Sequence, residues 1–165
     1  MSRAFVKEDG PERIDLPDLP IPTHPNYVTP RGLADLRARL AARQADLTAL
    51  RARDDRTDRL PEAAAERDIR YLEARLASAI PVDPPAAPDE VGFATVVRVA
   101  EADGTERTFA IVGEDEADAA AGRITAHAPL ARALIGAAVG DTIAWDRPGG
   151  AVEFEILSIG PAPCP

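Results

Sequence analysis

Aromatic residues are scarce in this chain, at 4% of 165 residues, so a core has to be built from Leu, Val, Ile and Ala. The single cysteine, Cys164, excludes a disulfide framework and any metal centre resting on thiolates. It also fits a reducing compartment, and the expected location is cytoplasmic. No stretch approaches the roughly 18 apolar residues of a membrane-spanning helix. The opening residues MSRAFVKEDGPE lack an apolar run, so no signal peptide is expected. Neither GxGxxG nor GxxxxGK[ST] occurs, which removes the common nucleotide-phosphate loops. The two histidines, His24 and His127, stand in different segments. No Ser-His-Asp or Cys-His arrangement can be argued from their order. With no histidine or cysteine near His24 in the sequence, no metal site is expected, and His127 reads as an exposed loop residue.

What the chain has in quantity is negative charge, unevenly spread. Residues 30–80 carry eleven Arg against nine Asp and Glu, whereas residues 81–165 carry five Arg against fourteen Asp and Glu. An acidic chain gains nothing from counterion release at duplex DNA, so direct DNA binding is not expected. A protein partner with basic patches is the better fit.

Prolines divide the chain. They crowd residues 11–30, 81–88 and 161–165, which sets an extended or disordered arm over 1–28, a linker over 81–90 and a tail over 161–165. Ile14, Leu16, Leu19, Ile21 and Tyr27 would let the arm lie along another surface. Thr29-Pro30 is a helix start, with threonine as the cap and proline at the first helical position. Leu33, Leu36, Leu40, Leu47 and Leu50 then form a coiled-coil seam that skips a position at Arg43 or Gln44. The pattern fails at 53–59. A second helix starts near Leu60-Pro61, with a seam of Ala65, Ile69, Leu72, Leu76 and Ile80 (or Ala79). Residues 29–80 thus read as an antiparallel helical hairpin with a charged tip, where Asp54, Asp55 and Asp58 are the candidate functional carboxylates. Arginines alternate with them, which also suits a merely soluble loop. The hairpin satisfies its own seam, so a monomer is expected.

Residues 91–160 change period. Gly92–Val99 and Glu106–Val112 are strands joined by a turn at Ala102-Asp-Gly104. The acidic loop Gly113-Glu-Asp-Glu-Ala-Asp118 follows and reads as solvated. Arg123–Thr125 is a short strand and Pro129–Ile135 a two-turn helix stopped at Gly136. Thr142–Trp145 and Val152–Ile159 make a second strand pair. The fold class is α+β: the helical hairpin, then a small twisted antiparallel β domain with one short helix on its concave face.

Ile111–Asp141, reading IVGEDEADAAAGRITAHAPLARALIGAAVGD, resembles the most characteristic segment of the GreA/GreB transcription elongation factors. Thr29-Pro-Arg-Gly-Leu33 and RDIRYLEARLASA at 67–79 resemble their helices, and the resemblance covers roughly residues 27–160. It implies an FKBP-like C-terminal domain. It also implies binding to bacterial RNA polymerase, the β domain gripping the rim of the secondary channel and the coiled coil entering it. Nascent RNA within that complex is a further implied contact. The positions carried over for polymerase binding are Gly113, Glu114, Asp115, Glu116, Asp118, Pro129, Ala131, Arg132 and Gly136. No cofactor of the chain's own is implied. Active members use two tip carboxylates to help the polymerase hold a second Mg²⁺ for cleaving backtracked RNA, which makes them accessory factors and not enzymes. Their D-L-x-E-N-A-E-Y tip is absent here, and the arms are shorter by roughly two turns each, about 10 Å of reach. No catalytic residue is carried over, and family members with short or altered tips, such as Rnk and the inhibitory Gre-like factors, imply polymerase binding without cleavage. The expectation is a polymerase-binding regulator of elongation or transcript cleavage, or an inhibitor without cleavage. The rivals from other classes are an FKBP-like prolyl isomerase or chaperone and a coiled-coil adaptor.

Overall fold

The structure, a computed structural model, describes residues 14–54, 58–147 and 149–163. A short strand β1 (Asn26–Val28) leads into helix α1 (Pro30–Arg51). Helix α2 (Leu60–Ala77) returns antiparallel and runs into β2 (Ala79–Pro81). The Thr29 hydroxyl accepts the Gly32 N–H at 3.0 Å, so the threonine cap and the following proline start α1 as their chemistry requires. At the root of the hairpin Val28, Leu36 and Leu72 are buried together with Leu33, Leu40, Tyr71, Leu76 and Ala79 packed around them, and nearer the tip Leu47, Ala63 and Ala65 are buried as well. At the skipped seam position Arg43 instead reaches across to Asp68 at 3.4 Å, and nearer the tip Arg51 meets Glu66 at 2.6 Å.

Two expectations for this half are corrected. Residues 26–28 are not the loose end of an arm, because they pair in parallel with 79–81, Tyr27 opposite Ile80. Ile80 is accordingly not a seam residue of α2. The helix stops at Ala77, and Pro81 pushes Ile80 into the extended conformation that the pairing uses. The arm before β1 lies along α2, where Arg70 donates to Asp18 (2.7 Å) and to the Leu16 carbonyl (3.1 Å).

The β domain is a five-stranded sheet of order β5-β4-β3-β7-β6, built from β3 (Thr95–Glu101), β4 (Glu106–Val112), β5 (Arg123–Thr125), β6 (Thr142–Trp145) and β7 (Val152–Pro161). The expected all-antiparallel sheet is corrected to a mixed one, since β5 pairs with β4 in parallel. The chain can make this parallel return because residues 113–122 form a long crossover containing two single 3₁₀ turns, Glu114–Glu116 and Ala119–Ala121. Alternate residues of β3 and β7, namely Val97, Val99, Phe154 and Ile156, face a core closed by Ile111, Leu130, Ala131 and Leu134, the last three from α3 (Pro129–Leu134). Wholly burying each larger member contributes roughly 1.5–3 kcal/mol. Three aromatic side chains are spent in this region: Phe109 and Trp145 pack on Phe154 with ring centres 6.1 and 6.2 Å away. That use weighs against an open aromatic proline pocket. Among the described residues, no helix is long and apolar enough to cross a membrane.

Candidate functional site: the acidic loop at the root of the hairpin

The acidic loop 113–118 does not behave as a solvated turn. It leaves β4 at the point where β1 and the two helices converge, and three of its carboxylates, Glu114, Asp115 and Glu116, point into that junction. Glu116 accepts from the Thr29 N–H at 3.0 Å, from the Thr29 hydroxyl and from the Gly113 N–H at 3.2 Å. It therefore grips the start of α1, where the helix dipole favours a negative charge. Gly113 lets the two backbones meet, because a Cβ there would stand 2.6 Å from the Tyr27 carbonyl oxygen.

Asp115 grips the end of α2. Its side chain is 6% exposed and that of Arg75 is 1% exposed, and the Arg75 Nε donates to its Oδ2 at 2.6 Å. The Tyr71 hydroxyl donates to the other oxygen at 2.9 Å. Arg75 Nη2 donates to the Asn26 side-chain oxygen at 2.6 Å and to Glu114 at 3.3 Å, while the Asn26 amide donates back to the Arg75 carbonyl at 2.8 Å. Arg75 is thus the hub that ties β1, α2 and the acidic loop together. A buried fork of this kind is costly to desolvate and depends on every partner being present. Its Nη1 has no hydrogen-bond partner among the described residues.

Burial, then the hydrogen bond to Asp115, then that carboxylate's charge raise the Tyr71 phenol above its ordinary 10.0. A raised acid keeps its proton longer folded than unfolded. Its stabilisation is complete below pH 10 and is lost as the pH rises through the folded value. With Tyr27→Phe leaving Tyr71 as the one tyrosine, the phenolate absorbance should titrate above pH 10. Tyr71→Phe should cost about 1 kcal/mol at neutral pH and flatten the alkaline loss of stability.

The other positions carried over from the resemblance fall into two groups. Asp118 caps the second 3₁₀ turn through the Ala121 N–H and pairs with Arg123 at 3.0 Å. Ala131 is fully buried in the core and presents no surface, which corrects its place among binding positions. Pro129, Arg132 and Gly136 are exposed, and beside them lie the exposed apolar side chains Ile135 and Val139. The sequence did not mark Arg75 or Tyr71 as special, since both sit at ordinary helical positions whose partners belong to other elements.

At the tip, Asp58 accepts the Leu60 N–H at 2.9 Å and so serves the start of α2. Asp54 is exposed. Asp55 lies outside the described residues. The histidine expectation is corrected: His24 and His127 meet with ring centres 4.2 Å apart, and His24 Nδ1 stands 3.1 Å from Glu114 Oε1. His127 is exposed, as expected.

Comparison with known proteins bears on the β domain first. A family model described as transcription elongation factor, GreA/GreB, C-term, matches residues 85–161. The transcription elongation factor GreA of Pseudomonas aeruginosa is 42% identical over 101 residues, covering 59% of this chain and 64% of that protein. The transcription elongation factor GreB of Neisseria meningitidis is 45% identical over 96 residues, covering 57% of this chain and 59% of that protein. In both cases the matched region spans less than two thirds of the relative. A solved GreA/GreB factor from Nitrosomonas europaea is similar at 26% identity over 82% of this chain and 98% of that one, with a TM-score of 0.41. The acidic loop and α3 both lie inside the matched region, and it is over this C-terminal domain, residues 85–161, that the chain is similar to the GreA/GreB family.

Proposed function

We propose that this chain is a transcription elongation regulator that binds bacterial RNA polymerase at the secondary channel, and that it modulates elongation with little stimulation of transcript cleavage. The observation that carries the reading is the clamp at the hairpin root. Glu116 on the start of α1 and Asp115 on the end of α2 hold both helices on the β domain. The exposed face around Arg132, Ile135 and Val139 supports the role of the rim-gripping surface. Helices α1 and α2 then extend from that domain as an antiparallel pair. At 1.5 Å per residue, the 22 residues of α1 span roughly 33 Å.

The chemistry at the tip supports the second half of the proposal. A carboxylate that helps bind a catalytic metal has to be free and within a few ångströms of it. Asp58 is engaged in starting α2, and in the sequence arginines alternate with the acids of 53–59. Any cleavage would be performed by the polymerase active site and its Mg²⁺, with this chain as an accessory. Immobilised chain should retain core RNA polymerase in low salt and lose it as salt rises. No retention at low salt would overturn the proposal. In stalled complexes, cleavage of nascent RNA should run about a hundredfold or more below that given by a full-length Gre factor. Robust cleavage abolished by Asp54→Ala or Asp55→Ala would refute the non-cleaving part alone.

A further inference from the structure

We propose that His24, Glu114 and His127 form a binding site for a divalent transition-metal ion of the zinc type, which staples the N-terminal arm to the β domain. The chain has two histidines in 165 residues, and the fold brings both to one carboxylate. One ligand atom from each of the three side chains lies within 4.8 Å of the others. His24 Nδ1 and Glu114 Oε1 are already 3.1 Å apart. Around a tetrahedral zinc with bonds of about 2.0–2.1 Å, neighbouring ligand atoms stand about 3.3–3.5 Å apart. The first pair therefore needs almost no movement, and the His127 ring has to close by little more than an ångström. Both histidines are exposed, so their rings are free to make that adjustment.

The surroundings favour a metal in two further respects. Glu114 is a supported ligand: its Oε2 is held by Arg75 at 3.3 Å, which leaves Oε1 turned toward His24. Arg75 is itself fixed by Asp115 and Asn26, so the carboxylate is oriented from behind, as outer-sphere partners orient metal ligands. The backbone of His24 is pinned by the following Pro25 and by the buried Asn26. Two imidazoles with one carboxylate select zinc, cobalt, nickel or copper over magnesium and calcium, whose shells are built from oxygen. Three protein ligands leave at least one position for water. The three ligands come from the arm ahead of β1, the loop after β4 and the turn before α3, so one ion would cross-link three separate segments.

The test is calorimetric titration of zinc chloride into the full-length chain carrying Cys164→Ser, which removes the one thiol. One zinc per chain is expected, with no comparable binding of magnesium chloride. His24→Gln and His127→Gln should each weaken zinc binding more than about tenfold, the lower bound for losing even an outer-sphere partner. Their melting curves in chelator should match the parent, and the zinc-induced rise in Tm should be confined to the parent. No saturable zinc binding by the parent would overturn the proposal. So would binding that survives either substitution undiminished, or a magnesium affinity equal to that for zinc.

Discussion

Arg75→Ala should destabilise the protein by about 3–5 kcal/mol, measured by urea unfolding at neutral pH. The magnitude follows from what the substitution leaves behind. Asp115, 6% exposed at its side chain, would lose its guanidinium donor and keep a buried negative charge that, among the described residues, faces the Tyr71 hydroxyl as its remaining hydrogen-bond donor. The Asn26 oxygen and one oxygen of Glu114 would lose their donor as well. Arg75→Lys should recover little, because a single ammonium cannot address Asp115 and Asn26 in the fork geometry that the guanidinium provides. Because the pair is shielded from solvent, raising the salt should not erase the effect. Adding Asp115→Ala to Arg75→Ala should cost far less than the sum of the single changes, since both members of one interaction are then gone. Full additivity would show that the two side chains do not act together.

Gly32→Ala should destabilise by about 2–4 kcal/mol, opposite in sign to the usual helix preference. Replacing a helical glycine with alanine ordinarily gains up to about 1 kcal/mol. Here the new methyl would lie 2.1 Å from Glu116 Cδ and 2.2 Å from its Oε1. The carboxylate cannot step aside cheaply, because it is held by the Thr29 N–H, the Thr29 hydroxyl and the Gly113 N–H. Displacing it breaks three hydrogen bonds to a charged group, each worth roughly 1.5–3 kcal/mol before relaxation and water recover part of the loss. The decisive control is the same change in a Glu116→Ala background. With the carboxylate gone, Gly32→Ala should become neutral or stabilising. Destabilisation of equal size in both backgrounds would contradict this account of the glycine.

The elements were legible in the sequence where local chemistry decides them. Thr29-Pro30 and Leu60-Pro61 mark the starts of both long helices, and the alternation through Val97 and Val99 marks a half-buried strand. What stayed hidden depends on partners far away in the chain. Three residues, 26–28, carry no period that could announce β1, and their pairing with 79–81 arises only once the hairpin folds. Four carboxylates in six residues read as solvated by composition. The partners of Asp115 and Glu116, the hydrogen-bond donors Thr29 and Tyr71 and the cation Arg75, come from another part of the chain. The same holds for His24 and His127, which no spacing rule would join. The resemblance of Ile111–Asp141 implied a surface for a partner. The structure instead turns three of its side chains inward to seat the hairpin, and leaves the α3 face around Arg132 as the outward one.

A stiffly seated hairpin with an unlike tip predicts occupation of the polymerase channel without its chemistry, and competition reads both at once. Stalled elongation complexes are mixed with a fixed amount of cleavage-competent GreA, and this chain is added in increasing amounts while RNA cleavage is followed. The account predicts inhibition that rises with concentration and approaches completion, with little cleavage from this chain alone. Unchanged GreA-stimulated cleavage under a large excess of this chain would contradict it.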